Sequence, residues 1–294
     1  ASVRADCPAR NSMRNTLTRR APAKCARTHE RESRVKTDII VMGANGRMGK
    51  SICQLAVADP DCTLAGLVDN REHLGKLEGF GCPVADSLSA VLPAANAVVI
   101  DFTAPAVSLQ SARTVSSTGN ALVIGTTGFS PEEKQELESL AGAAPIFWAS
   151  NMSIGVNVLQ QILPALVQAL GPGYDMEMVE LHHNRKKDSP SGTALTLGEC
   201  LAKARNWDLG EVRCSARDGM IGERPERQIG IQAVRGGDVV GVHTIYFMGP
   251  GERIEITHHA HSRENFAQGA LRAAKWLSGQ KAGRLYGMKD IFQS

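Results

Sequence analysis

The sequence predicts an α/β fold in which a doubly wound parallel sheet is joined to a separate α+β region. Three features lead to this prediction. Short apolar segments alternate with helical segments over residues 37–152, a glycine-rich turn follows the first of them, and strand-like segments dominate after residue 153. Strands that alternate with helices are typical of a parallel sheet with helices on both faces.

The parallel sheet is predicted from five short segments rich in apolar and β-branched residues. Asp38–Gly43 is an apolar run that ends in glycine, which is typical of a strand buried on both faces. The later strands are predicted at Thr63–Asp69, Ala97–Thr103, Ala121–Gly128 and Pro145–Met152. Helical segments separate them, as the spacing of Ile52, Leu55 and Ala56 indicates after the first strand.

The second region is predicted to consist mainly of strands. A helix over residues 153–170 comes first, and strands are then predicted at Asp175–His183, Ile229–Val234, Asp238–Phe247 and Glu252–His258. A last helix over residues 262–278 has an apolar side formed by Phe266, Ala270, Leu271, Ala274 and Leu277. This mixture predicts an α+β region.

Composition excludes several classes of protein. The chain has 294 residues and is 43% hydrophobic, which is enough for two domains with cores of their own. It contains no run of about 18 apolar residues, so no membrane partner is expected. Seven scattered cysteines without a CxxC pair favour a reducing compartment over a disulfide framework. Acidic side chains outnumber basic ones beyond residue 36, which argues against a nucleic-acid partner.

Residues 1–36 are rich in arginine, alanine, serine and threonine and contain few acidic side chains. This composition is typical of an organelle transit peptide, and the alternative is an ordinary disordered basic extension. The first interpretation predicts a protein of the plastid (chloroplast) stroma, and the second predicts a cytoplasmic one. Both leave this segment outside the predicted fold.

The turn after the first strand is a candidate dinucleotide site. Its pattern is G-x-x-G-x-x-G and departs from G-x-G-x-x-G at Asn45, but it joins a strand to a helix, and an acid ends the next strand. Glycines let the backbone approach a pyrophosphate, helix N-terminal amides bind it, and the acid accepts hydrogen bonds from a ribose. The predicted cofactor contacts are Gly43, Ala44, Asn45, Gly46, Arg47, Met48 and Asp69.

The choice between NADH and NADPH stays open. Asp69 favours NADH because a carboxylate repels a 2′-phosphate, but Arg71 lies two residues further on and can weaken that preference. Arg47 can also reach a phosphate. We therefore predict NADH or NADPH as the cofactor.

Two later segments end strands at the same edge of the predicted sheet. Their small residues leave room for a nicotinamide, although the first segment is equally consistent with an ordinary tight turn. The predicted cofactor contacts in them are Gly125, Thr126 and Thr127 in the first, and Ala149, Ser150, Asn151 and Met152 in the second.

The segment Glu180–Ala194, ELHHNRKKDSPSGTA, crowds two histidines and three basic residues before a Pro-Ser-Gly-Thr run. Ser191, Gly192 and Thr193 open a predicted helix whose apolar face is Ala194, Leu197, Leu201 and Ala204. Free amides at a helix N-terminus, together with two hydroxyls, can bind an anion. A histidine near them is a natural general acid close to neutral pH.

Together these motifs resemble the dihydrodipicolinate reductase family over nearly all of residues 38–292. The most specific of them is E-x-H-H-x-x-K-x-D-x-P-S-G-T-A over residues 180–194. The others are GANGRMG at 43–49, DFT at 101–103, GTTGF at 125–129, NMSIGVN at 151–157, RGGDVVGVHT at 235–244, and Ser262-Arg263 with Phe266-Ala267.

The resemblance implies a Rossmann-like dinucleotide-binding domain over residues 37–152, completed by residues 265–294. It also implies a central α+β domain over residues 153–264 that binds substrate and forms a homotetramer. The implied activity is the NAD(P)H-dependent reduction of 4-hydroxy-tetrahydrodipicolinate, a small dicarboxylate, to tetrahydrodipicolinate in the diaminopimelate route to lysine.

The same resemblance implies roles for single residues. Carried over by position, His182 is the general acid and Lys186 is the second catalytic cation, which polarises and holds the substrate. The substrate carboxylates are bound by His183, Ser191, Gly192 and Thr193. Asp188 orients the loop. Asn70 departs from the arginine of many bacterial members, which puts NADPH affinity in doubt.

Two other functions remain as alternatives. A different two-domain nicotinamide dehydrogenase, such as one acting on aspartate, would share the glycine turn but would not need the segment Glu180–Ala194. A redox-sensing regulator would bind dinucleotide without turnover. No metal site is predicted, because His258, His259 and His261 lack an accompanying acid or cysteine pattern.

Overall fold

Seven parallel strands form the first of two sheets in this computed structural model, which describes residues 36–92 and 96–293. Their spatial order is β12-β6-β5-β4-β1-β2-β3. The strands are β1 (Thr37–Met42), β2 (Cys62–Val68), β3 (Val84–Ala85), β4 (Ala97–Asp101), β5 (Ala121–Ile124), β6 (Ile146–Trp148) and β12 (Leu285–Tyr286). The transit-peptide prediction lies almost entirely outside the described residues.

Helices cover both faces of this sheet. They are α1 (Arg47–Ala58), α2 (Pro105–Ser116), α3 (Pro131–Leu140), α7 (Glu264–Leu277) and α8 (Met288–Phe292). Successive side chains of a strand point to opposite faces. In β1, Ile39 and Val41 therefore pack with α1 and α7, whereas Ile40 and Met42 pack with α2 and α3. The predicted doubly wound parallel sheet is confirmed.

Two strands of this sheet were not predicted. β3 and β12 are each two residues long, too short to give an apolar pattern, and they pair with β2 and β6 at the two edges of the sheet. The chain returns to this sheet after the second one, since α7, β12 and α8 all pack here.

The second sheet has five strands in the order β11-β10-β7-β9-β8. They are β7 (Asp175–His182), β8 (Arg213–Cys214), β9 (Ile229–Arg235), β10 (Gly241–Gly249) and β11 (Glu252–Ala260). β10 is antiparallel to β7 and β11, whereas β9 is parallel to β7. The strand predicted from Asp238 begins instead at Gly241, because Gly237 has a φ of +53° and turns the chain first.

Helices pack on one face of the second sheet. They are α4 (Ile154–Leu170), α5 (Gly192–Ala204) and the short α6 (Leu209–Val212). Along β7 the buried side chains are Met176, Met178, Glu180 and His182, which share the face covered by α4 and α5. Because side chains alternate between the two faces of β7, Glu180 and His182 are buried next to the N-terminus of α5. No helix among residues 36–92 and 96–293 is long and apolar enough to cross a membrane.

Candidate active site

Backbone contacts shape the glycine turn between β1 and α1. Gly43 has a φ of +62°, and a Cβ at Gly49 would lie 2.2 Å from the Gly43 carbonyl oxygen. Gly46 precedes α1, and no side chain in the described part of the chain caps this N-terminus. The first N–H groups of α1 therefore remain available to an anion, and Arg47 is exposed beside them. This geometry suits the pyrophosphate of a dinucleotide.

Asp69 links the end of β2 to the glycine turn. One carboxylate oxygen accepts the N–H of Asn45 at 2.7 Å, and the other accepts the N–H of Asn70 and contacts Nδ1 of His73, both at 2.8 Å. Burial raises the pKa of Asp69, but these hydrogen bonds outweigh burial and hold the pKa below its usual value. Asp69 is therefore a carboxylate with acceptor capacity left for a ribose.

A cavity of about 260 Å³ opens at the carboxyl ends of β4, β5 and β6. It brings together many of the predicted cofactor residues: Arg47, Met48, Gly125, Ser150, Asn151 and Met152. Phe102, Arg263 and Phe266 complete its lining. Glycine at position 125 leaves room for the Phe102 ring, which would lie 2.1 Å from a Cβ there. A nicotinamide ring suits this place at the carboxyl edge of a parallel sheet.

Other predicted cofactor residues face elsewhere. Thr126 is buried, its hydroxyl pairs with that of Ser108 at 2.8 Å, and its carbonyl accepts the indole N–H of Trp148 at 3.0 Å. Thr127 is exposed, and Ala149 lines a neighbouring cavity of about 220 Å³. The side chain of Thr126 therefore shapes the loop and does not itself face the 260 Å³ cavity.

A larger cleft of about 1010 Å³ is lined mainly by charged residues. Its basic lining residues are Arg47, His183, Arg185, Lys186, Lys187, His261 and Arg263, and its acidic ones are Asp188 and Asp238. Lys186 and Asp188 form an ion pair at 2.9 Å, and this contact lowers the pKa of Asp188. Since cations outnumber carboxylates here, the cleft favours an anionic ligand.

His182 lies behind this lining, on the covered face of the second sheet. Its side chain is 10% exposed, and Nδ1 is 2.5 Å from Oε2 of Glu180. The ring lies edge-on to His243 at 5.2 Å between centroids, and Nε2 lies 3.0 Å from where a Cβ at Gly241 would be. Burial lowers the pKa of His182 and outweighs the opposite effect of Glu180. Glycine at 241 leaves the space that this imidazole occupies.

The N-terminus of α5 is held from several directions. Ser191 accepts the N–H of Ala194 at 3.1 Å, and the same hydroxyl pairs with Nε2 of His243 at 2.9 Å. The Ser191 N–H donates to Oε1 of Glu180 at 3.0 Å. Burial lowers the pKa of His243 to about 4, so this ring is neutral at pH 7.

The next two residues of α5 face outward. A Cβ at Gly192 would meet no atom within 4 Å, so the backbone there is accessible. Thr193 accepts a hydrogen bond from the side-chain amide of Asn151 at 3.0 Å. Asn151 also lines the 260 Å³ cavity. One amide therefore connects the predicted cofactor residues with the predicted substrate residues.

Sequence reasoning gave no role to Arg235, although it belongs to a quoted motif. Its two terminal nitrogens donate to the two oxygens of Glu180 at 2.7 and 2.8 Å. His243, from the same motif, lies edge-on to the ring of His182 and hydrogen-bonds the hydroxyl of Ser191. The period-two pattern of β7 could have paired Glu180 with His182, but the position of Arg235 depends on how β7 and β9 align.

Within residues 36–92 and 96–293, no three His, Cys, Asp or Glu side chains come together as a metal site. His258 instead pairs through Nε2 with the hydroxyl of Ser153 at 3.2 Å. The five cysteines in this part of the chain are free: Cys53, Cys62, Cys82, Cys200 and Cys214.

The doubly wound sheet, the glycine turn before the uncapped N-terminus of α1, and the cationic cleft beside α1 together indicate a dinucleotide-dependent oxidoreductase. The family model described as dihydrodipicolinate reductase, N-terminus, matches residues 37–152, and the one described as dihydrodipicolinate reductase, C-terminus, matches residues 155–292. The chain belongs to the dihydrodipicolinate reductase family.

Relatives agree with this assignment. A 4-hydroxy-tetrahydrodipicolinate reductase of Desulfovibrio desulfuricans is 73% identical over 88% of this chain and 100% of its own length. One from Nitratidesulfovibrio vulgaris is 62% identical over 87% of this chain and 100% of its own. The predicted oxidoreductase activity, the reduction of 4-hydroxy-tetrahydrodipicolinate with NADH or NADPH, is confirmed at the level of the family. The aspartate dehydrogenase and sensor alternatives gain no support.

A solved structure shares the fold. The dipicolinate-bound dihydrodipicolinate reductase from Paenisporosarcina sp. superimposes with a TM-score of 0.69 at 24% identity, and covers 87% of this chain and 99% of that one. The predicted fold class, a Rossmann-like parallel sheet with an additional α+β part, is confirmed.

Proposed function

We propose that the cationic cleft is where this chain reduces 4-hydroxy-tetrahydrodipicolinate to tetrahydrodipicolinate. The observation that carries the proposal is that His183 and Lys186 line the same cleft as Arg47, which follows the glycine turn. The open N-terminus of α5 joins this region through the hydrogen bond between Asn151 and Thr193, since Asn151 shares the 260 Å³ cavity with Arg47. Bound NADH or NADPH supplies a hydride. The protein's own residues bind the two carboxylates, orient the ring and supply a proton.

In this proposal the substrate carboxylates are bound by His183, Gly192 and Thr193. Ser191, also expected from the sequence to bind them, is buried with its N–H and hydroxyl engaged inside the protein, so it positions the N-terminus of α5 instead. Lys186 holds and polarises the substrate, and its partner Asp188 fixes the loop. His182 is the proton donor. Dianion binding near His182 raises the pKa of its imidazole, which offsets the effect of burial and favours the protonated form when substrate is present.

The reaction balances as loss of water, hydride transfer and protonation. Departure of the 4-hydroxyl as water leaves a carbon–carbon double bond conjugated with the ring imine. Hydride adds to the far end of this system, and the adjacent carbon takes one proton from the acid. One substrate and one reduced cofactor thus give tetrahydrodipicolinate, the oxidised cofactor and water, with one proton consumed.

The test is a coupled assay. Aspartate semialdehyde, pyruvate and the partner synthase generate the substrate, and oxidation of NADH and NADPH is followed by absorbance. We expect synthase-dependent oxidation with the wild-type chain. A folded chain that binds dinucleotide but oxidises neither cofactor would refute the proposal.

Variants in the same assay test the individual roles. His182→Ala and Lys186→Ala should lower kcat at least about 100-fold while dinucleotide affinity persists, because general acids contribute about 10² to 10⁴. His183→Ala should mainly raise KM. If His183→Ala abolished kcat and His182→Ala did not, the two histidines would have exchanged roles.

We further propose that NADH is preferred over NADPH. Asp69 is ionised beside the glycine turn, and Arg71, which could have received a 2′-phosphate, is paired with Asp86. Fluorescence titration should give a lower Kd for NADH. Asp69→Ala should narrow the difference, and equal wild-type affinities would contradict this preference.

We propose that residues 37–152 and 265–294 form the domain that binds the dinucleotide. Residues 153–264 form the domain that binds substrate and makes the contacts between subunits. The uncovered face of the second sheet supports a homotetramer, since Val179, Leu181 and Val234 are only partly covered there and Val234 is 47% exposed. Light scattering should report a tetramer that Val234→Glu dissociates. Val57→Glu, at a residue 63% exposed on α1, is the control.

The compartment is a prediction that depends on residues 1–36. A plastid location would follow if they act as a transit peptide, and the bacterial relatives lend that no support. Fusing residues 1–36 to a fluorescent protein and assaying import into isolated chloroplasts distinguishes a plastid from a cytoplasmic location.

A further inference from the structure

Glu180 is a fully buried carboxylate whose acceptor positions are all in use. Oε2 accepts from Nδ1 of His182 and from Arg235, and Oε1 accepts from the N–H of Ser191 and from the same guanidinium. A buried charge is costly unless it is paired and hydrogen-bonded, and here four donors surround it. Such a complete set of contacts indicates one defined orientation of the carboxylate.

We propose that Glu180 is a positioning residue that sets the tautomer of the proton donor His182 and, through its other oxygen, the N-terminus of α5. This inference rests on the proposed function of His182. It adds a role for Glu180 and Arg235, which do not themselves face the substrate cleft.

The tautomer follows from hydrogen-bond chemistry. Burial raises the pKa of Glu180, but the donors from Arg235, His182 and Ser191 outweigh it and keep the pKa below its usual value. An ionised carboxylate can only accept, so Nδ1 of His182 must carry the hydrogen. Nε2 is then the atom that gains and releases the catalytic proton.

The same carboxylate couples two parts of the site. Glu180 holds the imidazole through one oxygen and the Ser191 amide through the other, at 2.5 and 3.0 Å. Ser191 caps α5, where the substrate carboxylates are proposed to bind. A change in Glu180 should therefore affect proton donation and substrate binding together.

The charged and titratable groups around His182 define the expected pH response. Glu180 on β7 favours the imidazolium, whereas Lys186 after β7, Arg235 on β9 and the neighbouring His243 on β10 do not. Without the negative charge of Glu180, only burial and the nearby cations act on the pKa of His182, and both lower it. The proton donor should then lose its proton at lower pH.

The test variant is Glu180→Gln. The amide oxygen of the glutamine should face Ser191, because the backbone N–H of Ser191 can only donate a hydrogen bond. The neutral imidazole of His182 can instead carry its hydrogen on either ring nitrogen. The amide NH₂ then faces Nδ1 of His182 and requires it to accept. The neutral imidazole should switch from the Nδ1–H to the Nε2–H tautomer.

The control is Glu177→Gln, on the same strand. Glu177 also accepts from two arginines, Arg217 and Arg224, but it lies on the opposite face of the sheet from His182. This variant makes the same change of charge and leaves His182 with its carboxylate.

The first measurement is solid-state ¹⁵N NMR of sedimented protein labelled at histidine, with His182→Gln to assign the signals. We expect Nδ1–H for His182 in the wild-type chain and in Glu177→Gln, and Nε2–H in Glu180→Gln. An Nε2–H tautomer in the wild-type chain overturns the proposal, even if Glu180→Gln does not fold.

The second measurement is kcat against pH in the coupled assay. The falling limb at high pH should move down by about one unit in Glu180→Gln, with KM raised, and should stay in place in Glu177→Gln. An unmoved limb in both variants overturns the proposal. Failure of the wild-type chain to turn over substrate would refute the proposed function, whereas the NMR result would still decide the role of Glu180.

Discussion

The N-termini of α1 and α5 both follow a strand, yet they are built differently. At α1 no described side chain caps the helix, and the turn is shaped by close backbone contacts of Gly43 and Gly49. At α5 a serine caps the helix, and Glu180 and His243 support that serine from neighbouring strands.

The difference matches what each helix is proposed to bind. A pyrophosphate needs several free amides and close backbone approach, which glycines alone can provide. A substrate that must also be protonated needs a positioned acid, and this requires side chains from several strands. Ligand binding at the N-terminus of α1 should therefore respond to added side-chain volume. Binding at the N-terminus of α5 should respond to changes in side-chain charge and protonation.

The largest expected effect comes from filling the α1 turn. Gly49→Ala would place a Cβ 2.2 Å from the Gly43 carbonyl oxygen and 2.7 Å from Cα of Ala44. Backbone atoms cannot yield as a side chain can, so we expect a loss of about 3 kcal/mol in the free energy of unfolding and weaker NADH binding. Urea unfolding and NADH titration measure both.

The matched control is Gly79→Ala, where a Cβ would meet no atom within 4 Å. It should leave stability and NADH affinity close to wild type. A Gly49→Ala protein with unchanged NADH affinity would show that the geometry of this turn does not govern binding.

The second effect is a pH dependence of stability that arises from His243, whose imidazole supports the N-terminus of α5 through Ser191. The pKa of His243 is about 4 in the fold against an ordinary value of 6.5, so the unfolded chain takes up the proton first. As pH falls from 6.5 to 4, the fold should lose on the order of 3 kcal/mol through this residue. Urea unfolding at several pH values should show a flatter dependence for His243→Gln.

The exposed His259→Gln serves as the control for that series and should retain the wild-type slope. Equal slopes for His243→Gln and wild type between pH 6.5 and 4 would exclude His243 as the source.

A smaller effect should distinguish the N-terminus of α5 from that of α1, because it changes substrate binding and leaves NADH binding unchanged. Gly192→Ala meets no atom within 4 Å in the protein, so the fold should tolerate it. If a substrate carboxylate approaches this backbone, the added methyl group should raise KM about tenfold, which corresponds to about 1.4 kcal/mol. NADH affinity should not change, and an unaltered KM would argue against carboxylate binding at Gly192.

The smallest effect concerns the far end of α1. Asp59 follows α1 and pairs with Lys275 of α7 at 2.6 Å. The hydrogen bond from Lys275 lowers the pKa of Asp59, so its stabilisation is present above about pH 4 and is lost as pH falls further. Asp59→Asn should cost about 0.5–1 kcal/mol at pH 7 by thermal denaturation.

NADH affinity should be unaffected by Asp59→Asn, because the change lies at the opposite end of the helix. A stability difference that persisted unchanged at pH 3 would contradict the ion pair as its cause.

Much of the fold was predictable from local pattern. The strands around Ile39–Val41 and Val98–Ile100 are continuous apolar runs, so a sheet buried on both faces could be anticipated. β3 and β12 could not, since two residues carry no pattern and their pairing depends on distant strands. The candidate site could be proposed from sequence where its residues lie close together, as from His182 to Thr193.

The sequence by itself determined the parallel sheet, the glycine turn and the segment that carries His182, Lys186 and Gly192, because spacing along one strand or one helix specifies them. Only the tertiary structure decided what surrounds His182, the proposed proton donor. Arg235 and His243 reach Glu180, His182 and Ser191 from neighbouring strands. The physical reason is that a buried carboxylate requires donors from every side, and one strand cannot supply them all.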